Sequence, residues 1–250
     1  MTDRSGPRAF HHAAPQDAAK GHVPRALMKF SPRLNCLSLG LLALLLTPVL
    51  HAGTPVYKPE LFTTTRLVYE DSFDGSLNTD FWEIRQNTTW AIKDGILTGS
   101  PSSKEFQDKK KASDDPSHAG LKPVIWLKKV PENFVCTMRV RYDAKAYQKG
   151  FPLLDLGHHI HTLSFSEKAT TLTIKKNVET LAVESPLFTL NQWHDVAIEL
   201  KKGMLILTID GKKHVFESKN IDMTGQAQID FKAVDFGGCL IDDIKLWEGK

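Results

Sequence analysis

The chain has 250 residues, 41% hydrophobic and 24% charged, with a formal net charge of +3 at neutral pH. Residues 1–52 hold six Lys and Arg against two Asp, so the remainder is balanced at 26 basic and 27 acidic side chains. A chain so near neutrality lacks the concentrated positive field that nucleic acid or an anionic membrane surface requires, and its length suits one large all-β domain.

The first feature in chain order is an apolar run from Leu37 to Leu50, preceded by Lys29 and Arg33 and followed by Ala52 and Gly53. That order is the basic, apolar and small-residue plan of a secretory signal peptide, here residues 28–52. The run is shorter than the roughly 20 apolar residues of a membrane span. The expected location is therefore secreted, periplasmic or cell-surface, with no span left once the signal is removed. Residues 1–27 show no periodicity and read as an extension, either disordered or upstream of a start at Met28. Cys36 precedes the apolar run, so it is not placed as a lipoprotein cysteine.

After a lead containing Pro55 and Pro59, a first strand is expected over Arg66–Glu70, followed by the turn-rich D-S-F-D-G-S-L of Asp71–Leu77. Asp94-Gly95 marks a hairpin between W-A-I and I-L-T, because both turn residues tolerate positive φ. Ser100 to Leu121 is polar, broken by Pro101, Pro116 and Gly120, and reads as one long loop. Strands resume at Val124–Leu127 and Phe134–Tyr142, then flank Gly157 in L-L-D-L-G-H-H-I-H-T-L-S-F, and another includes Leu172 and Ile174. The clearest pattern follows Trp193: Val196, Ile198 and Leu200 alternate with polar neighbours, as do Leu205, Leu207 and Ile209. Lys202-Gly203 and Asp210-Gly211 supply the turns of this meander. Ala227–Lys232 and the terminal I-D-D-I-K-L-W complete about a dozen short strands, with no helix-period segment of useful length. Two stacked antiparallel sheets are the architecture expected from this pattern.

Candidate chemistry centres on Asp155, His158, His159 and His161. On a strand, residues two apart share a face, so His159 and His161 would project together with Asp155 approaching across the Gly157 turn. Two imidazoles and a carboxylate bind a divalent metal, or act as a base with its orienting partner. Shared parity with Leu163 and Phe165 gives the other reading, in which the histidines cap the core. His118 is the remaining imidazole available to this group. If Phe134, Cys136, Met138, Val140 and Tyr142 face inward, Arg139 and Arg141 face outward. Asp155 does likewise if Leu154 and Leu156 face inward, so arginine and aspartate would share one open face for hydroxyl recognition or form an ordinary cross-strand pair. Trp90 and Trp193 read as core, whereas Trp82 and Trp126 are freer, with Trp126 the candidate aromatic platform for a ligand. Cys136 and Cys239 are either one disulfide or two buried thiols.

The order of these pieces resembles the concanavalin A-like lectin/glucanase superfamily. The likeness rests on Asp71–Leu77, the W-x-I-x-D-G-I-L hairpin of Trp90–Leu97, the W-H-D-V-A-I-E-L meander and Ile241–Trp247, and it covers nearly all of residues 66–248. Within the superfamily the chain is most similar to the bacterial 3-keto-disaccharide hydrolase-like domains. The resemblance implies an all-β jelly-roll sandwich, a carbohydrate partner, and either cleavage of 3-keto-glycosides or non-catalytic binding of glycans or of a cell-surface partner. In the cleavage scheme His159 or His161 is the base, Asp155 its orienter or a metal ligand, and Arg141 stabilises developing negative charge. The resemblance also implies a structural calcium between the first and last strands, held by Asp71, Asp74, Asp242 and Asp243. No other cofactor is implied beyond that calcium or a transition metal at the histidines. Laminarinase-type members carry E-x-D-x-x-E on one strand face. No segment here reads so, which argues against a retaining glucanase of that type. The oligomeric state is left open.

Overall fold

The computed structural model describes residues 57–114, 116–175, 178–185 and 187–250; the expected extension, the signal segment and Cys36 lie outside them. In chain order the elements are β1 (Thr65–Asp71), β2 (Trp82–Ile84), β3 (Thr89–Lys93), β4 (Ile96–Ser100), α1 (Lys104–Lys111), β5 (Val124–Lys128), β6 (Phe134–Asp143) and β7 (Leu153–Leu156). They continue with β8 (His161–Phe165), β9 (Thr170–Ile174), β10 (Glu179–Val183), β11 (His194–Lys201), β12 (Met204–Ile209), β13 (Lys212–Glu217), β14 (Gln228–Lys232) and β15 (Gly238–Gly249).

Eight strands form one sheet in the order β13-β12-β11-β6-β15-β4-β3, with β1 also paired to β15; seven form the other, β10-β9-β8-β7-β14-β5-β2. Every pairing is antiparallel. This is the expected jelly-roll β-sandwich of two antiparallel sheets. Period-two burial makes it: Phe134, Cys136, Met138, Val140 and Tyr142 of β6 meet Leu154, Leu156, Ile229 and Phe231 of the other sheet in one continuous core. The meander is as the sequence indicates, with Gly203, Asp210 and Gly211 at positive φ in its two turns. Among the described residues no helix is long and apolar enough to cross a membrane.

Three expectations are corrected. First, the long loop contains the helix α1: Ser103 caps it by accepting from the Phe106 N–H, Glu105 lies in the first turn, and Lys109, Lys110 and Lys111 close the last. That is the charge order a helix dipole favours, and it makes a two-turn helix viable despite its polar composition. Second, β6 and β7 do not neighbour each other. They belong to different sheets, so Arg139 and Arg141 face out on one side of the sandwich and Asp155 on the other. Third, Trp82 is sealed in the core and donates its indole N–H to the Tyr69 hydroxyl, whereas Trp193 is only partly buried. Of the two readings of the cysteines, buried thiols hold: Cys136 and Cys239 are both free and buried. Cys239 pairs in register with Tyr142, six residues along β6 from Cys136, a separation of about 20 Å that no disulfide spans. Burial pushes the Cys136 thiol up to about 12 and raises that of Cys239 well above its ordinary value.

Candidate functional site

The outward face of the seven-stranded sheet carries a polar row set by register. Glu83, Trp126, Asp230, Asp155, Thr162, Thr173 and Thr180 are successive cross-strand partners from β2 to β10. Their core-side neighbours, among them Ile125, Phe231, Leu154, Leu163 and Leu172, are buried apolar residues, so the alternation fixes which face is polar.

At the middle of the row Lys232 joins two carboxylates from adjacent strands. Its ammonium pairs with Asp155 and lies 3.4 Å from Asp230. Asp155 also accepts from the Thr162 hydroxyl, and Asp230 from the Gln228 amide at 2.6 Å. Such saturation is what burying two carboxylates and an ammonium demands. The turn after β7 then lays two histidines over them. Gly157 and His159 take positive φ, which brings His159 Nδ1 within 3.4 Å of Asp155 and His158 Nδ1 within 3.1 Å of Asp230. The two rings are 4.0 Å apart between centres. The side chains of Asp155 and Asp230 are 2% and 0% exposed, against 52% for His159 and 46% for His158. The histidines therefore meet solvent while the carboxylates stand behind them. Burial, and next the charge of Lys232, lower the pKa of His159, with Asp155 opposing. A neutral imidazole with a carboxylate at Nδ1 keeps Nε2 free to take a proton.

Contrary to the expectation that it would project beside His159, His161 is not part of this group. The period-two rule stops at the turn: His161 restarts the ladder on the core side, fully buried, with Nε2 2.7 Å from the Asp222 carbonyl. Trp126 is beside the site. Its ring centre lies 5.1 Å from that of His158, and the Arg85 guanidinium sits 3.9 Å over it, held by Glu83. His118 is exposed in the loop after α1, with Nδ1 3.0 Å from the Ser117 hydroxyl. On the opposite sheet Arg139 pairs with Asp242 at 3.1 Å, and Arg141 grips Asp143 through two bonds. Arg141 is therefore not placed to stabilise charge near Asp155.

The four expected calcium ligands divide. Asp71, Asp74 and Asp243 line a hollow that Lys245 enters, but Asp71 already accepts from the Tyr69 hydroxyl and the Phe73 N–H. Asp242 is taken by Arg139 and by the Asp243 N–H, and burial followed by repulsion from Asp243 raises its pKa. Among the described residues no group of three or more histidine, cysteine or acidic side chains is arranged to hold a metal, at this hollow or at the histidines. The donor sets do not fit either expected ion, because Asp71, Asp242, Asp155 and Asp230 already have their oxygens engaged by protein donors.

Asp230, Lys232 and Arg85 were not among the residues singled out from the sequence, whereas His158 stood in the histidine cluster without an assigned role. Q-I-D-F-K carried a signal for two of them: Asp230 and Lys232 occupy the non-core parity of an otherwise apolar strand, and two charges so placed on a strand flanked by others call for partners.

No family model matches the sequence, and no curated protein matches it. Solved structures do match. A GlcNAcα1-4Gal-releasing endo-β-galactosidase from Clostridium perfringens superposes with a TM-score of 0.54 at 11% identity over 78% of this chain, which spans 65% of that enzyme's length, a little under two thirds. A non-specific endo-β-1,3(4)-glucanase gives 0.51 at 12% identity, over 77% of this chain and 95% of its own. A Bacillus subtilis protein of unknown function with a galectin-like fold gives 0.51 at 10%, over 75% and 100%. At such identities the likeness is one of fold.

Proposed function

We propose that the protein is a carbohydrate-active domain whose ligand lies across the polar face of the seven-stranded sheet, above His158 and His159. The observation that carries this reading is the pair of Asp–His dyads, Asp155–His159 and Asp230–His158, side by side on a solvent-facing row of hydroxyl and charged side chains. The fold-mates that are glycoside hydrolases support the substrate class. So does Trp126, which stands beside His158 in the same outward row. A secreted, periplasmic or cell-surface location, supported by the Leu37–Leu50 run, belongs to the same reading.

The reaction that fits is cleavage of a 3-keto-glycoside. The ketone acidifies the C2 proton, and neutral His159, oriented by Asp155, removes it. The electron pair forms an enolate and then expels the C1 oxygen, which receives a proton as it leaves, and water adds to C1 of the resulting enone. His161 is excluded as base by its burial. Incubation with 3-keto-trehalose or 3-keto-sucrose is expected to release free sugar, and His159→Gln to lower the rate by about 10²-fold or more. Absence of release by the unaltered protein would refute the enzyme reading.

A binding role without catalysis is favoured by one feature: Lys232, Thr162 and Gln228 already engage both carboxylates, so neither is free to protonate a leaving group directly. Glycan-array binding that survives His159→Gln, with no release of keto sugar, would decide for it.

A further inference from the structure

The outward face of the eight-stranded sheet holds a hollow of about 580 Å³, within the range of small-ligand sites. Register makes it. Thr137 of β6, Ala197 of β11 and Thr208 of β12 are partners in one cross-strand row, and three short side chains there leave a trough. The row ends in Lys245 on one side and Lys213 on the other. Beyond the trough, Arg139 spans Asp195 and Asp242 and lies 5.1 Å from the Trp193 ring centre.

The facing wall comes from the segment before β1. Glu199, on the outward side of β11, is fully buried because that segment covers it: it accepts from the Tyr57 hydroxyl at 2.7 Å, the Glu60 N–H at 3.0 Å and the Leu61 N–H at 2.8 Å. Lys213 adds a 2.7 Å pair to Glu60. Tyr57 and Glu60 are thus latched at the lip of the hollow, with Trp247 also lining it.

We propose that this hollow is a second, non-catalytic carbohydrate-binding site, separate from the histidine site and on the other side of the sandwich. Its ligand class rests on the carbohydrate reading given above; its existence as a site rests on the trough and the latched wall. Trp247, Tyr57 and Ala197 offer apolar surface for the C–H face of a pyranose, and the two threonine hydroxyls and the rim charges suit its hydroxyl groups. Of the acids lining it, Asp195 pairs with Arg139 and Glu60 with Lys213, Asp243 is half-buried, and among the described residues no histidine lines the hollow. That chemistry holds a sugar without cleaving it.

The test follows the indole ¹⁵N–H resonances of Trp247 and Trp126 while the purified protein is titrated with cellotetraose, laminaritetraose and N-acetyllactosamine. Saturable movement of Trp247 is expected with at least one of them. Ala197→Leu, which fills the trough, and Lys213→Ala, a rim change that leaves the core untouched, are both expected to weaken the affinity read at Trp247, the former by about tenfold or more. The response of Trp126 is expected to be unchanged in both. Movement of Trp126 alone overturns the second site and leaves the histidine site standing. A Trp247 response that both variants leave intact also overturns it. No response at either indole overturns the second site and removes the carbohydrate reading of both faces for these sugars.

Discussion

His159 and His161 stand two residues apart, yet one faces solvent beside a carboxylate and the other is sealed under the sheet. The difference is a turn residue: positive φ at Gly157 and His159 breaks the alternation that would have put both on one face. Burial lowers the pKa of His161, so the unfolded chain takes up that proton at a higher pH than the folded one. Its contribution to stability is complete above the ordinary histidine value of about 6.5 and is lost as pH falls through the lower folded value. In urea unfolding between pH 7.5 and 5, His161→Leu is expected to flatten the acid decline, since leucine fits between Leu156 and Ile174, its neighbours in register. His159 shifts in the same direction, so some decline should persist. Asp155→Asn tests the other half of the site. It leaves Lys232 with one charged partner in a buried setting, and a loss of about 2–4 kcal/mol in unfolding free energy is expected.

At the level of elements, turns and parity were legible and the helix was not. Asp94-Gly95, Lys202-Gly203 and Asp210-Gly211 each close the hairpin their residues indicated. In α1 the eight residues are too few and too polar for a hydrophobic period to show, and only the Ser103 cap and the Glu-to-Lys charge order marked it. Gly99 of β4 shows how closely elements meet. It sits in register with Trp90 of β3, and a β-carbon there would come 2.5 Å from the indole ring. Gly99→Ala should therefore force Trp90 from its seat against Thr88, with a loss of about 1–3 kcal/mol and a change in near-ultraviolet circular dichroism.

Across the whole molecule, each outer face is organised by buried carboxylates: Asp155 and Asp230 under the histidines, Glu199 under the leading segment. In Glu199→Ala the Glu60 and Leu61 amides lose their acceptor and are expected to exchange with solvent far faster than in the parent, whereas β11 and β12 keep their protection. Slow exchange at both amides in that variant would show the segment to be held by other contacts. Sequence alone determined that this chain builds two antiparallel sheets, where most strands turn, and which side of each strand faces the core, because period-two patterning and turn chemistry act over a few residues. It also marked Asp155, His159 and Trp126. Tertiary structure alone decided which sheet each strand joins. That choice separated Arg139 and Arg141 from Asp155, and it brought Asp230 and Lys232 to Asp155 from some 75 residues away. A strand's pattern fixes its two faces but not its neighbours, so side chains that must meet across strands are settled only when distant segments pair.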